Sequence, residues 1–168
     1  MTEARNTRKI LIVEDEVITA HGIAQTLEDL GYKPMGPALS GKDALEIISE
    51  EKPDMILVDI ELKDDEDGIQ LSEKIKTICD IPVVFITAYT DKKTFNRAMD
   101  AGAFGYLAKP FQDRDLEVAV EIAFYKYKYE KMLTESRMQY QILAEQVKDL
   151  IVRLDADGNI IYLSLIHI

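Results

Sequence analysis

Short apolar runs alternate with segments of helical spacing along most of the chain. KILIV (9–13), DMILVD (54–59), PVVFITA (82–88) and AFGYLAK (103–109) read as strands. They are bounded by charge and carry little internal alternation, which predicts strands covered on both faces. YKPMGPA (32–38) is a weaker strand whose prolines suit a sheet edge. Between the runs, Ile18, Ile23, Leu27 and Leu30 recur at helical spacing and Gly31 stops that helix. SGKDALEIISEE begins on a Ser N-cap, DGIQLSEKIKTI is the next helix, and DKKTFNRAMDAG has an Asp cap and a Gly stop. The alternation predicts an α/β domain: a parallel sheet with helices on both faces and right-handed crossovers.

The last helix starts near Asp113, and neither Gly nor Pro interrupts it to about Lys148. Leu116, Val120, Ala123 and Tyr127 begin a regular apolar stripe, which gives way to polar residues around Thr134–Gln141. This reads as a docking helix that becomes a connector, with self-pairing compatible but only weakly heptad-patterned. Two β-like runs then flank DADGN (155–159), a hairpin signal. Two strands do not make an independent domain, so a second domain is expected to begin there. The terminal LSLIHI reads as a truncation edge or cloning scar. The expected organisation is a polar tail over 1–7, a first domain over 8–127, a helical connector over 128–148 and the start of a second domain over 137–168, overlapping the connector.

Composition narrows the function classes. A net charge of −11 argues against nucleic-acid binding by this segment. No apolar run approaches membrane length, and MTEARNTRK lacks a signal-peptide core. A single cysteine, Cys79, cannot form an internal disulfide, so the cytoplasm is the expected compartment. His21 and His167 are isolated.

Polar residues sit where the strands end. Glu14 and Asp15 follow the first strand, Asp59 ends the third, Thr87 and Ala88 end the fourth, and Lys109 follows the fifth. In a doubly wound sheet these ends converge on one pocket. Each residue alone has a plainer reading: capping acids, a turn carboxylate, a β-branched strand residue, a surface lysine. Together they place three carboxylates, a hydroxyl and an ammonium in common. Such carboxylates repel unless a cation sits among them, and oxygen ligands suit Mg²⁺. A carboxylate beside Mg²⁺ and a lysine is suited to attack phosphorus.

These motifs (VEDE, VDIEL, DG, ITA and GYLAKPF) resemble the receiver domain of two-component response regulators over residues 8 to about 127. The resemblance implies a flavodoxin-like five-stranded sheet of order 2-1-3-4-5. It implies that Asp59 accepts a phosphoryl group from phosphohistidine on a histidine kinase or phosphotransfer protein. Asp15 would bind Mg²⁺ directly, Glu14 largely through water, and Asp59 and the Glu61 main-chain carbonyl would complete the protein ligands. Thr87 and the Ala88 N–H would hold phosphoryl oxygens, and Lys109 would pair with the phosphate. The Lys109–Pro110 bond would be cis. Thr87, Tyr106 and Pro110 form the implied switch, and Glu61 and Tyr89 the side chains that tune hydrolysis. Catalysis of this kind is confined to self-catalysed phosphotransfer and autodephosphorylation. One departure concerns the acceptor loop: Lys63 stands where receivers often have Pro, and Gly68 comes one residue late behind Asp64, Asp65, Glu66 and Asp67, which read as solvated.

Residues 135–164 resemble, less specifically, the opening of a PAS sensor domain. That implies a parent of receiver–PAS order, often a sensor kinase, with the PAS or output domain in cis and self-pairing through the long helix. A phosphorylation-independent pseudo-receiver is the alternative from another class; such domains commonly lose the acceptor or the lysine, and both stand here. A phosphatase using an aspartyl-phosphate would place its metal acids after the nucleophile, whereas Glu14 and Asp15 precede Asp59.

Overall fold

The computed structural model describes residues 7–63, 67–88, 92–146 and 151–164, with backbone only at 143–146, 151–152 and 163–164. Two compact units divide between Tyr127 and Lys128.

In the first unit, β1 (Lys9–Val13), β2 (Lys33–Ala38), β3 (Met55–Asp59), β4 (Val83–Thr87) and β5 (Gly105–Ala108) form one parallel sheet of order β2-β1-β3-β4-β5. This is the flavodoxin-like, doubly wound arrangement. Helices α1 (Val17–Asp29), α2 (Gly41–Glu50), α3 (Gly68–Ile78), α4 (Lys92–Asp100) and α5 (Asp113–Gln146) connect or follow the strands. The proline-bearing β2 lies at an edge, pairing with β1 through a register irregularity near Gly36–Pro37.

Side chains alternate across a strand, so each continuous apolar run feeds two cores. Leu11, Val13, Ile56, Val58 and Phe85 face α2 and α3, meeting Ala44, Ile48, Ile69, Leu71 and Ile75. Ile10, Ile12, Leu57, Val84 and Ile86 face the other way, onto Ile23 and Leu27 of α1 and Leu116, Val120 and Ala123 of α5. Each such side chain contributes about 1.5–3 kcal/mol relative to exposure. Ile18, one of the apolar positions expected on the buried stripe of α1, is instead 83% exposed, and Ala20 fills the buried position. Ile18 lies five residues before Ile23, off the i, i+3/i+4 face that Ala20, Ile23 and Leu27 share.

Helix ends follow local chemistry. Ser40 caps α2 by accepting from the Asp43 N–H at 3.1 Å. Asp67 caps α3 through a reciprocal box: its Oδ1 accepts from Gln70 N at 2.9 Å, and Gln70 Oε1 accepts from Asp67 N at 3.0 Å. Asp67 is therefore a structural cap rather than a solvated loop acid; Asp64, Asp65 and Glu66 lie outside the described residues, as does the expected cap Asp91. Gly31 ends α1 at φ +85°, a conformation a side chain would strain. Gly68 is buried against the end of β3, where an added Cβ would overlap the Asp59 carbonyl oxygen. That close approach seats α3 directly behind Asp59.

Helix α5 runs for 34 residues. Its first turns bury Leu116, Val120 and Ala123, and Tyr127 donates to the Asp80 carbonyl at 2.8 Å. In the second unit, β6 (Ile151–Leu154) and β7 (Ile160–Ser164) pair antiparallel. The turn closes on Asp155, whose side chain accepts from Asp157 N, Asn159 N and Asn159 Nδ2 at 2.8–3.0 Å. Among the described residues, no helix is long and apolar enough to cross a membrane.

Candidate functional site

Parallel pairing sets the site. Val13 lies opposite Val58, Asp59 opposite Ile86 and Thr87 opposite Ala108. The first polar residues past the apolar runs therefore align along one edge of the sheet, at its carboxyl end. Glu14 is held by its N–H to Ala38 O at 3.0 Å, and Lys109 by its N–H to Thr87 O at 2.7 Å.

Three carboxylates meet there. One oxygen from each of Glu14, Asp15 and Asp59 lies within 4.8 Å of the others. Glu14 and Asp59 are 1% and 4% exposed, and Thr87 is fully buried. Lys109 bridges two of them, donating to Glu14 Oε2 and Asp59 Oδ2 at 2.6 Å each. Asp59 Oδ1 accepts from Glu61 N at 2.8 Å, so both acceptor oxygens are fixed. Asp15 Oδ2 faces the Lys63 ammonium at 2.8 Å. That oxygen is buried, and its contact with the Lys63 ammonium raises the lysine above its ordinary range.

Burial pushes the Glu14 carboxyl up; the Lys109 hydrogen bond pulls it back and the Asp59 charge pushes it up again, leaving it above the ordinary carboxylate range. Burial alone would lower Lys109, but its hydrogen bonds and charge contacts with Asp59 and Glu14 outweigh that and raise it. The ammonium is thus firmly held as a cation against two carboxylates.

The donor set consists of hard oxygens: three clustered carboxylates, one with a buried oxygen that faces the Lys63 ammonium. It fits a small divalent cation such as Mg²⁺.

The remaining expected residues fall around this cluster. Ala88 is exposed just beyond Thr87, and Glu61 is exposed two residues past Asp59. The Lys109–Pro110 bond is cis. Tyr106 stands on β5, half-buried, with its ring edge-on to Phe95 of α4 at 5.4 Å. Tyr89 lies outside the described residues, as does His167. Cys79 is the half-buried residue after α3, packed against the core, and His21 Nδ1 donates to the Val17 carbonyl within α1 at 2.7 Å. Two contacts had no sequence signature of their own. Lys63 reaches Asp15, and Arg97 of α4 pairs with the α3 cap Asp67 at 2.6 Å. The Asp-x-x-Gln spacing could have revealed the cap, but not its arginine.

Known proteins share this architecture. A family model for the response regulator receiver domain matches residues 10–121. The transcriptional regulatory protein PdtaR of Mycobacterium tuberculosis is 32% identical over 155 residues, covering 89% of this chain and 75% of its own. The N-terminal domain of a response regulator/sensory box/GGDEF three-domain protein from Carboxydothermus hydrogenoformans superposes with a TM-score of 0.67 at 39% identity, covering 73% of this chain and 98% of that one. A CheY-like receiver domain from Methanospirillum hungatei does so with the same score at 28% identity, covering 73% and 98%.

Proposed function

Because this chain belongs to the response regulator receiver family, we propose that it is a phosphoacceptor module in which Asp59 receives a phosphoryl group from a phosphohistidine. The observation that carries the reading is the Lys109 bridge: a half-buried ammonium held against the buried carboxylates of both Glu14 and Asp59 at the mouth of the sheet. A structural role would be better served by apolar residues, because isolating charge from water is costly.

An Asp59 oxygen attacks phosphorus in line with the departing imidazole nitrogen. A P–O bond forms, the P–N bond breaks, and the imidazole leaves with the electron pair and takes up a proton. Glu61 N holds the other carboxylate oxygen in place. Lys109 neutralises charge on the transferred group, while the Thr87 hydroxyl and the Ala88 N–H donate to its equatorial oxygens. Asp15, Asp59, the Glu61 carbonyl and, through water, Glu14 would hold Mg²⁺, which when bound supplies further neutralisation of the phosphoryl oxygens. Glu61 and Tyr89 gate the water that later hydrolyses the acyl phosphate.

Thr87 moving toward the phosphoryl group draws Tyr106 inward from Phe95, with Pro110 in the adjoining turn. This alters the face of α4, β5 and α5, a local charge change that biases a two-state element. The long α5 carries the change toward residues 128–148 and a PAS-like unit over 137–168, and it offers a surface for self-pairing. The setting is cytoplasmic, with a histidine kinase or phosphotransfer protein as donor. Support for a sensory module in cis comes from the hairpin over 151–164 and from the three-domain relative, whose own description includes a sensory box.

Incubation with acetyl phosphate and MgCl₂, followed by intact mass, tests the reading. One added phosphoryl group is expected on the wild type and none on Asp59→Asn. Equal labelling of both would refute it, and no labelling of either would favour the phosphorylation-independent alternative.

A further inference from the structure

Two ammonium groups divide the three carboxylates between them. Lys109, with a side chain 21% exposed, is built into the site and takes Glu14 and Asp59. Lys63, with a side chain 83% exposed, is a surface residue of the acceptor loop whose head alone enters the site. Among the described residues, that head is the one cation in contact with Asp15, and it covers a carboxylate oxygen that is buried from water. The Asp15 carboxylate is also one of the three that cluster where a metal ion would sit. The ion pair of an exposed lysine is released at little cost, whereas a buried carboxylate oxygen left with no cation is costly.

We infer that Lys63 is a displaceable counter-ion of the metal site: it neutralises Asp15 in the metal-free protein and must leave that oxygen before a divalent cation can bind. The inference rests on the receiver reading and adds to it a residue that sets the working range of the metal. Lys63 lies four residues past Asp59, so the same loop carries the acceptor and the competitor for its cofactor. The affinity of the site for Mg²⁺ is accordingly held down by a charge within the chain, and the response shifts toward higher Mg²⁺.

The test is calorimetric titration of the full chain with MgCl₂, with wild type, Lys63→Met and Asp15→Asn compared. Lys63→Met is expected to tighten Mg²⁺ binding by about two- to five-fold, the range an exposed ion pair supports. The gain should persist at about 0.3 M KCl, where long-range charge effects are screened. Independently, the side-chain NMR signals of Lys63 in the wild type should shift on adding Mg²⁺, saturating with the binding isotherm. Unchanged or weaker binding by Lys63→Met would overturn the counter-ion role while leaving the receiver reading intact. So would a gain abolished by salt, or Lys63 signals indifferent to Mg²⁺. A wild type that binds no Mg²⁺ at millimolar concentration, like Asp15→Asn, would overturn both.

Discussion

The carboxyl edge of the five-stranded sheet and the β6–β7 hairpin treat their side chains in opposite ways. At the sheet edge, acids and a hydroxyl that water would solvate are buried: Glu14, Asp59 and Thr87 are all under 5% exposed. In the hairpin, apolar residues that a core would take up are open: Ile160 and Ile161 are 61% exposed and Tyr162 53%. The first arrangement is sustainable only inside a finished fold, because the two cores on either side of the sheet must hold clustered charge against its preference for water. The second is a two-stranded pair, an arrangement that is only marginally stable by itself. Buried charge thus distinguishes the candidate site, and exposed apolar side chains distinguish the hairpin.

Substitutions can break that contrast, and Gly68→Ala should do so most severely. The new methyl would collide with the Asp59 carbonyl, which is backbone and cannot swing aside. A loss of about 1–3 kcal/mol is expected in urea unfolding, with the acceptor geometry displaced as well. A variant as stable as wild type would show that the edge is looser than described.

A smaller and opposite effect is expected of Glu14→Gln. Lys109 keeps Asp59, so no ammonium is stranded. Because the folded protein raises the Glu14 pKa, its favourable contribution is fully present below the ordinary glutamate value and is lost as pH rises through the raised one. The variant should therefore match wild type in acid and gain on the order of 1 kcal/mol near neutrality. An advantage that grew toward low pH would contradict the assigned direction.

The smallest effect is expected of Ile161→Ser in the hairpin: a change within about 0.5 kcal/mol in the unfolding of the first unit. A large change would mean that the hairpin supports the receiver fold.

Much of this was legible in the sequence, for identifiable reasons. Strands covered on both faces need unbroken apolar runs, so Ile10–Val13, Met55–Val58 and Val83–Ile86 announce themselves, and the first polar residue after each run is placed by the sheet. Glu14, Asp59, Thr87 and Lys109 were found that way. Ile18 misled because its spacing counts toward an apolar stripe although it lies on the outer side of α1. Lys63 was invisible as a site residue because it meets Asp15 only through the crossover that sets β3 beside β1. The hydrogen bond between Tyr32 and Glu121 and the Arg8–Phe124 stacking likewise exist only once α5 returns to the β1 side of the sheet.

On the proposed function, the buried Asp59 carboxylate becomes an acyl phosphate. The most direct measurement is borohydride trapping after treatment with acetyl phosphate and MgCl₂, which reduces an aspartyl phosphate to homoserine, followed by peptide sequencing by mass spectrometry. Homoserine is expected at position 59 alone. Homoserine at another aspartate, or an unmodified Asp59 in protein that has bound Mg²⁺, would contradict it.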